Sequence, residues 1–123
     1  MTFVHRETVR FRDLDSVGHM NNAVYATFVE QARIAFLAPQ GAEVEDMILA
    51  RLEIDFRSPL SLGETVEVGV RPSRLGTKSF ALEYELRADG RLVAEAKSVL
   101  VGYDYDRGRS TAVPERWRRR LDG

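Results

Sequence analysis

The stretch Arg10-Phe-Arg-Asp-Leu-Asp-Ser-Val-Gly-His-Met-Asn-Asn-Ala-Val-Tyr25 joins an acidic segment and a glycine turn to the start of a helix. A carboxylate just ahead of a helix N-terminus lies beside backbone N–H groups that can polarise a carbonyl. The stretch therefore predicts a reactive centre at the start of the element around which the rest of the chain folds.

We predict that this helix runs from about Ala23 to Leu37. Asn21 or Asn22 is its expected N-cap, and Pro39 and Gly41 are expected to end it. One broad stripe holds the apolar residues that recur at three- and four-residue spacing: Val24, Tyr25, Phe28, Val29, Ala32, Ala35 and Phe36. The remaining arc carries Thr27, Glu30, Gln31 and Arg33, with Ala26 and Ile34 among them. We therefore expect a central helix buried on more than one side.

After the helix the hydrophobic period changes to two, which predicts half-buried strands. Asp89-Gly90 indicates a tight hairpin, because a type I′ turn needs positive φ at both central residues. The expected strands are Phe3–Phe11, Ala50–Arg57, Val66–Arg71, Phe80–Arg87 and Leu92–Asp104, with a turn over Pro72–Lys78 and a short helix from Pro114 to Leu121. One long helix with successive antiparallel strands is an α+β pattern, and the open strand edges favour self-association.

Composition limits the class of protein. The chain has 123 residues, 44% of them hydrophobic, and we expect one domain over residues 1–123. It has no cysteine, and its net charge of −1 disfavours nucleic-acid binding. Without a signal-peptide pattern or a membrane-spanning run, a cytoplasmic location is expected. The basic run Arg116-Trp-Arg-Arg-Arg120 could bind a phosphate-bearing ligand or partner, although a solvated terminal turn is the commoner role.

The motif inventory leaves a carboxylate mechanism. The sequence contains no Gly-x-Ser-x-Gly elbow, no P-loop and no Gly-x-Gly-x-x-Gly. His5 and His19 are its only histidines and do not form a ligand pair, so a dedicated transition-metal site is not expected. The candidate acids are Asp13, Asp15 and Glu30. Asp13 is also suited to an ion pair with Arg10 or Arg12, and Glu30 to an ion pair with Arg33.

A resemblance separates these acids. Asp15-Ser-Val-Gly18-His19-Met-Asn21-Asn22-Ala-Val-Tyr25, followed by Phe28-Val-Glu30-Gln-Ala-Arg33, resembles the signature of hotdog-fold acyl-CoA thioesterases of the 4-hydroxybenzoyl-CoA thioesterase type. Family membership would imply an antiparallel five-stranded sheet wrapped around a long central helix. It would also imply hydrolysis of an acyl-CoA thioester without metal or cofactor, at sites formed between subunits of a homodimer or homotetramer.

The resemblance also implies roles for particular residues. Asp15 would attack the thioester carbon or activate water, and the backbone N–H of Asn22 would meet the developing oxyanion. A second branch of these enzymes uses a helix glutamate, which makes Glu30 an alternative catalytic residue. Glu30 lies eight residues beyond Asn22, about 12 Å along a helix, so one chain cannot aim both at one carbonyl. Without the resemblance, Asp15 would be interpreted as a helix cap or turn former.

Five further residues are predicted to bind substrate. Gly18 shapes the turn, His19 could hydrogen-bond near the thioester, and Tyr25 could line an acyl pocket or the core. Arg74 and Lys78, beside Gly76, are candidates for the phosphates of coenzyme A, or form a solvated hairpin tip.

Three other functions stay open. An acyl-carrier-protein thioesterase or a hydratase would share this fold, although the histidine and acid expected of hydratases are not evident. A non-catalytic acyl-CoA-binding protein would keep the pocket without turnover. The acyl group and the number of subunits are not predicted.

Overall fold

The computed structural model describes residues 3–37 and 46–122. In chain order its elements are β1 (Phe3–Thr8), a one-turn 3-10 helix (Phe11–Asp13), α1 (Asn22–Leu37), β2 (Met47–Phe56), β3 (Thr65–Leu75), β4 (Ser79–Ala88), β5 (Arg91–Asp104), β6 (Arg109–Ser110) and α2 (Glu115–Asp122). The predicted helix end at Pro39 and Gly41 lies outside the described residues.

The five long strands form one antiparallel sheet in the order β1-β3-β4-β5-β2. The two-residue strand β6, which the sequence pattern missed, pairs with the end of β5. Asp89 and Gly90 join β4 to β5 with φ of 50° and 79°, as the predicted hairpin turn requires. The α+β architecture is therefore confirmed.

Three strand boundaries differ by three or more residues from the predicted ones, and the first is the start of β2, which lies at Met47 and not at Ala50. β1 ends at Thr8, not at Phe11, because the chain turns into the 3-10 helix that begins at Phe11. β3 continues through Pro72 to Leu75, where a turn was predicted, and its register shifts between Pro72 and Arg74. Proline lacks the N–H that a regular ladder needs, and a bulge accommodates that loss.

Helix α1 packs against β1 and β3, and its apolar stripe meets the inward residues of the sheet. Phe28, Val29 and Ala32 are fully buried there, as are Val68 and Leu82 on the strands. Burying a side chain of the size of Phe28 is worth about 2–3 kcal/mol, so this layer supplies much of the stability. Helix α2 adds Trp117, which is fully buried with its ring edge-on to Phe80.

Arg33 differs from its predicted place on the polar arc, because it is only 5% exposed. Its Nη2 lies 3.9 Å from Oε2 of Glu30, so the expected ion pair between them is present. Its Nε is buried and has no hydrogen-bond partner among the described residues. The long apolar stem of arginine can pack against a core, which helical spacing alone does not reveal.

Strand β2 forms one edge of the sheet, and among the described residues it pairs with β5 alone. Ile48, Leu49 and Phe56 on this strand are each more than 40% exposed, and Leu52 and Ile54 are half-buried. An open strand edge with exposed apolar side chains is a template for pairing with another chain. None of the helices in residues 3–37 and 46–122 is long and apolar enough to cross a bilayer.

Candidate active site

Asp15 closes the loop that leads into α1. Its backbone N–H donates to the carbonyl of His19 (2.7 Å), and Leu14 pairs with Met20 across the loop. Its side-chain Oδ1 accepts the backbone N–H groups of Val17 (2.9 Å) and His19 (3.1 Å). No described residue donates to Oδ2, and the side chain is exposed. The loop thus orients the carboxylate through one oxygen and leaves the other available to a ligand.

Gly18 allows this loop to close. Its φ is 86°, which is the left-handed region that favours glycine, and its N–H donates to the carbonyl of Asp15 (3.2 Å). The predicted role of Gly18 in the turn's backbone geometry therefore matches its conformation.

Asp13 joins the end of the loop to the segment that precedes it. Its carbonyl accepts the N–H of Asn21 (2.8 Å), and its buried carboxylate accepts the backbone N–H of Arg10 (2.8 Å) and the Arg10 guanidinium (3.2 and 3.3 Å). Burial acts to raise the pKa of Asp13, but the hydrogen bonds and charge of Arg10, with the charge of Arg12, lower that pKa below its ordinary value. The predicted Arg10 ion pair is confirmed, and it gives Asp13 a structural role.

The start of α1 leaves one amide free. Asn21 is the N-cap: its Oδ1 accepts the N–H of Ala23 (2.9 Å) and its carbonyl accepts the N–H of Val24 (2.9 Å). The N–H of Asn22, the first residue of the helix, donates to no described residue. An unpaired amide at the positive end of a helix is suited to binding an anionic oxygen.

A cavity of about 310 Å³ lies between this loop, the start of α1 and the segment after β2. It is lined by Asp15, His19, Met20, Asn22, Tyr25, Phe56, Arg57, Ser58 and Pro59. The rings of Tyr25 and Phe56 meet edge to face at 5.0 Å, and Tyr25 Oη donates to the carbonyl of Ser58 (3.4 Å). Burial, opposed by Arg91 and aided by Glu64, raises the pKa of Tyr25, so its phenol is neutral at pH 7.

The structure brings four of the predicted site residues to this cavity: Asp15, His19, Asn22 and Tyr25. Glu30 lies two turns farther along α1, where its side chain is 55% exposed and paired with Arg33. Arg74 and Lys78 lie beside the start of β4, whereas the cavity lies at the sheet end where β2 stops and β5 begins. A ten-residue strand spans about 33 Å, so neither cation reaches the cavity of its own chain.

Sequence reasoning missed the second wall of the cavity. Phe56 and Arg57 were predicted only as the end of a strand, and no local signal places them or the following Ser58 and Pro59 opposite Asp15. Arg91 secures this wall, donating to Ser58 Oγ (3.2 Å), the Pro59 carbonyl (2.9 Å) and Glu64 (2.8 Å). In the part of the chain that the structure describes, no group of three or more His, Cys, Asp or Glu side chains could hold a metal ion.

Comparison with known proteins now defines the class. A family model described as the thioesterase-like superfamily matches residues 9–121. The 1,4-dihydroxy-2-naphthoyl-CoA hydrolase of Synechococcus elongatus is 23% identical over 120 residues, which cover 90% of this chain and 88% of that one.

Solved structures agree. A Thermus thermophilus thioesterase complexed with coenzyme A and Zn is 38% identical, with a TM-score of 0.87 over 98% of this chain and 94% of that one. A 1,4-dihydroxy-2-naphthoyl-CoA thioesterase from Synechocystis, at 18% identity, shares the fold with a TM-score of 0.90 over 98% and 95% of the two chains.

The expected hotdog fold is therefore confirmed, and the matches identify the chain as a thioester hydrolase. The chain is a member of the thioesterase-like superfamily. Acyl-CoA thioesterase activity is the activity of this family that the matches support.

The Asp13 contacts predict a pH-dependent stability. Replacing Asp13 with Ala should lower the free energy of unfolding by about 2 kcal/mol at pH 7, because it removes a buried carboxylate with three hydrogen bonds. Since the folded-state pKa is lowered, this contribution is complete above the unfolded-state value of about 4 and disappears as the pH falls through the folded-state pKa.

Urea unfolding of both proteins between pH 7 and pH 2 measures the difference, with Asp106→Ala in an exposed turn as the control. A deficit that stays constant over this range would contradict the ion-pair role of Asp13.

Proposed function

We propose that the protein hydrolyses an acyl-CoA thioester to a free carboxylic acid and coenzyme A, with Asp15 as its catalytic carboxylate. One observation carries the proposal: Asp15, with its exposed carboxylate, and Asn22, with its unpaired N–H, line the same cavity. The aromatic wall formed by Tyr25 and Phe56 favours an aromatic acyl group, which is also what the Synechococcus elongatus relative is named for.

The two groups divide the reaction between them. The thioester carbonyl oxygen accepts the N–H of Asn22, and the positive end of α1 stabilises the negative charge that develops on that oxygen. Asp15 either removes a proton from an attacking water or attacks the carbonyl carbon itself, forming an anhydride that water then hydrolyses. In both routes the C–S bond breaks, the thiolate of coenzyme A leaves, and it takes up a proton. His19 and Tyr25 contact the bound thioester from the cavity walls.

Asp15→Asn should lower kcat by two or more decades, because the amide is neither a base nor a nucleophile of comparable strength. Release of the coenzyme A thiol from a panel of aliphatic and aromatic acyl-CoAs measures the effect. Glu30→Gln is the matched control and should leave kcat within a few-fold of the original protein. Equal activity of the original protein and Asp15→Asn would move the catalytic role to Glu30.

The Asn22 amide can be removed without removing the helix. Proline is favoured at the first helical position, and the preceding Asn21 is an N-cap, for which an extended backbone is usual. Asn22→Pro should therefore lower kcat about 10²–10³-fold, as loss of one oxyanion donor does elsewhere. Asn22→Ala keeps the N–H and should retain most of the activity. Equal activities in a folded pair would exclude the main-chain role.

A second copy of the chain completes the site in our proposal. The exposed apolar residues of the β2 edge favour a homodimer in which two β2 strands pair antiparallel about a twofold axis. Such pairing sets the Met47 end of one β2 beside the Phe56 end of the other. The cavity borders Phe56, so it would lie at the junction between subunits.

This arrangement also gives Arg74 and Lys78 a route to the substrate. Within each chain, Ile48 of β2 pairs with Val101 of β5, and Val101 pairs in turn with Ser79 of β4, the residue after Lys78. Crossing from Phe56 to the partner's Ser79 takes three strand spacings, about 14 Å in total. An extended pantetheine arm spans such a distance. The partner's Arg74 and Lys78 would then meet the phosphates of coenzyme A while Asp15 meets the thioester.

Mixed dimers test this sharing. Asp15→Asn should be inactive, and Arg74→Ala with Lys78→Ala should raise KM with little change in kcat. Co-expression of the two variant chains should recover low-KM activity at about a quarter of all sites, because half of the dimers are mixed and each holds one intact site. Recovery of none, with mixed dimers proven by mass and differential tags, would place both functions in one chain. An unchanged KM in the variant with Arg74→Ala and Lys78→Ala would remove the two cations from the site.

A further inference from the structure

Helix α2 holds the turn between β3 and β4 through main-chain carbonyls. Arg118 Nη2 donates to the carbonyls of Gly76 (2.6 Å) and Thr77 (2.9 Å). The carbonyl of Thr77 also accepts the N–H of Val113 (3.0 Å), just before α2. The guanidinium of Arg118 therefore fixes two successive peptide groups in this turn, and a charge-assisted bond of this kind is stronger than a neutral one.

The turn is further tied within itself. The N–H of Gly76 donates to the carbonyl of Ser79 (2.8 Å), and Arg74 Nη1 donates to Ser79 Oγ (3.2 Å). Behind the turn, the buried Trp117 packs edge-on to Phe80, so α2 has a fixed position on the sheet. A rigid loop presents its exposed cations, here Arg74 and Lys78, at lower entropic cost than a mobile one.

Three cationic side chains at this turn form no ion pair with a described residue. No carboxylate of the described residues lies within ion-pair distance of Arg74, Lys78 or Arg118. Two other arginines of α2 have partners away from the turn: Arg116 pairs with Asp46, and Arg120 donates to the carbonyl of Phe36 (2.9 Å). Three clustered cations without an acidic partner form a surface suited to a ligand with several phosphates.

We infer that Arg118 is a positioning residue that holds the β3–β4 turn ready for the phosphorylated nucleotide of coenzyme A, and so favours acyl-CoA over thioesters without that nucleotide. The inference rests on the proposed function. Acyl-CoA and acyl-carrier-protein thioesters share a phosphopantetheine arm, whose phosphate end carries a nucleotide in the first and a protein in the second. The residues that line the cavity at Asp15 cannot distinguish acyl-CoA from an acyl-carrier-protein thioester, because both present the same arm. A cationic turn held in place by Arg118 can distinguish them, because only acyl-CoA carries the nucleotide.

Arg118→Gln tests the inference with two substrates that carry the same acyl group, the acyl-CoA and the acyl-pantetheine. The variant should raise KM for acyl-CoA about tenfold, the effect of losing one or two charge-assisted hydrogen bonds. It should leave KM for acyl-pantetheine and both kcat values unchanged, since the start of α1 and the Asp15 loop lie at the other end of the sheet. Arg118→Lys, which keeps the charge and can donate to a carbonyl, should recover part of the affinity.

Arg119→Gln is the matched control. It removes the same charge from the exposed side of α2, and the hydrogen bonds from α2 to Gly76 and Thr77 come from Arg118 instead. A similar rise in KM for acyl-CoA in both glutamine variants would reduce the effect to net charge and overturn the inference. A rise in KM for acyl-pantetheine, or a fall in both kcat values, would show a general structural role and overturn it too.

The same assay separates this inference from the proposed function. If the unmodified protein hydrolyses neither thioester, the proposed function fails and the inference fails with it. If it hydrolyses both and Arg118→Gln leaves the ratio of their KM values unchanged, only the inference is overturned.

Discussion

Burial of one face of α1 under β1 and β3 is the contact on which the rest of the structure depends. One helix cannot cover a five-stranded sheet, so the helix lies toward one side and the β2 edge keeps exposed apolar residues. The same placement sets the N-terminus of α1 at one end of the sheet, beside the segment after β2. A single packing arrangement thus fixes both the position of the candidate site and the edge at which a second chain would join.

The candidate site is built mostly from main-chain groups. Oδ1 of Asp15 is held by two backbone amides, the loop is tied to the carbonyls of Asp13 and Leu60, and the proposed oxyanion donor is a backbone N–H. Such groups are fixed by the course of the chain, so they need little rearrangement as charge develops in a reaction. Few side chains are then required for the chemistry, and the residues around them are free to set the choice of substrate.

Local chemistry made much of the fold predictable. Alternating residues marked β3, β4 and β5, and Asp89-Gly90 marked the hairpin, because these features depend on neighbours in sequence. The N-cap at Asn21 and the ion pair between Arg10 and Asp13 were likewise among the possibilities predicted from the sequence. The hotdog name and the role of Asp15 came from the resemblance, since an acid before a helix is more often a cap.

Features that depend on distant parts of the chain were not predictable. Arg33 has the spacing of an exposed residue but lies beneath the sheet, close enough to Tyr84 to act on the pKa of its phenol, which burial raises. The wall from Phe56 to Pro59 reaches Asp15 only through the three-dimensional path of the chain. Arg74 and Lys78 were candidates for binding the phosphates of coenzyme A, and the sheet's length separates them from the cavity within one chain.

The short β4–β5 connection has a consequence for how the molecule forms. Strands joined by a two-residue turn can pair at little cost in chain entropy, whereas β1 must find β3 across 57 residues at Thr8 and Thr65. The hairpin is accordingly the natural early structure, and the edge strands join it later. Because the candidate site lies between segments that come after those two edge strands, it is assembled only when the whole sheet is complete. Activity in a freshly made chain would thus report the last stage of folding, not the first.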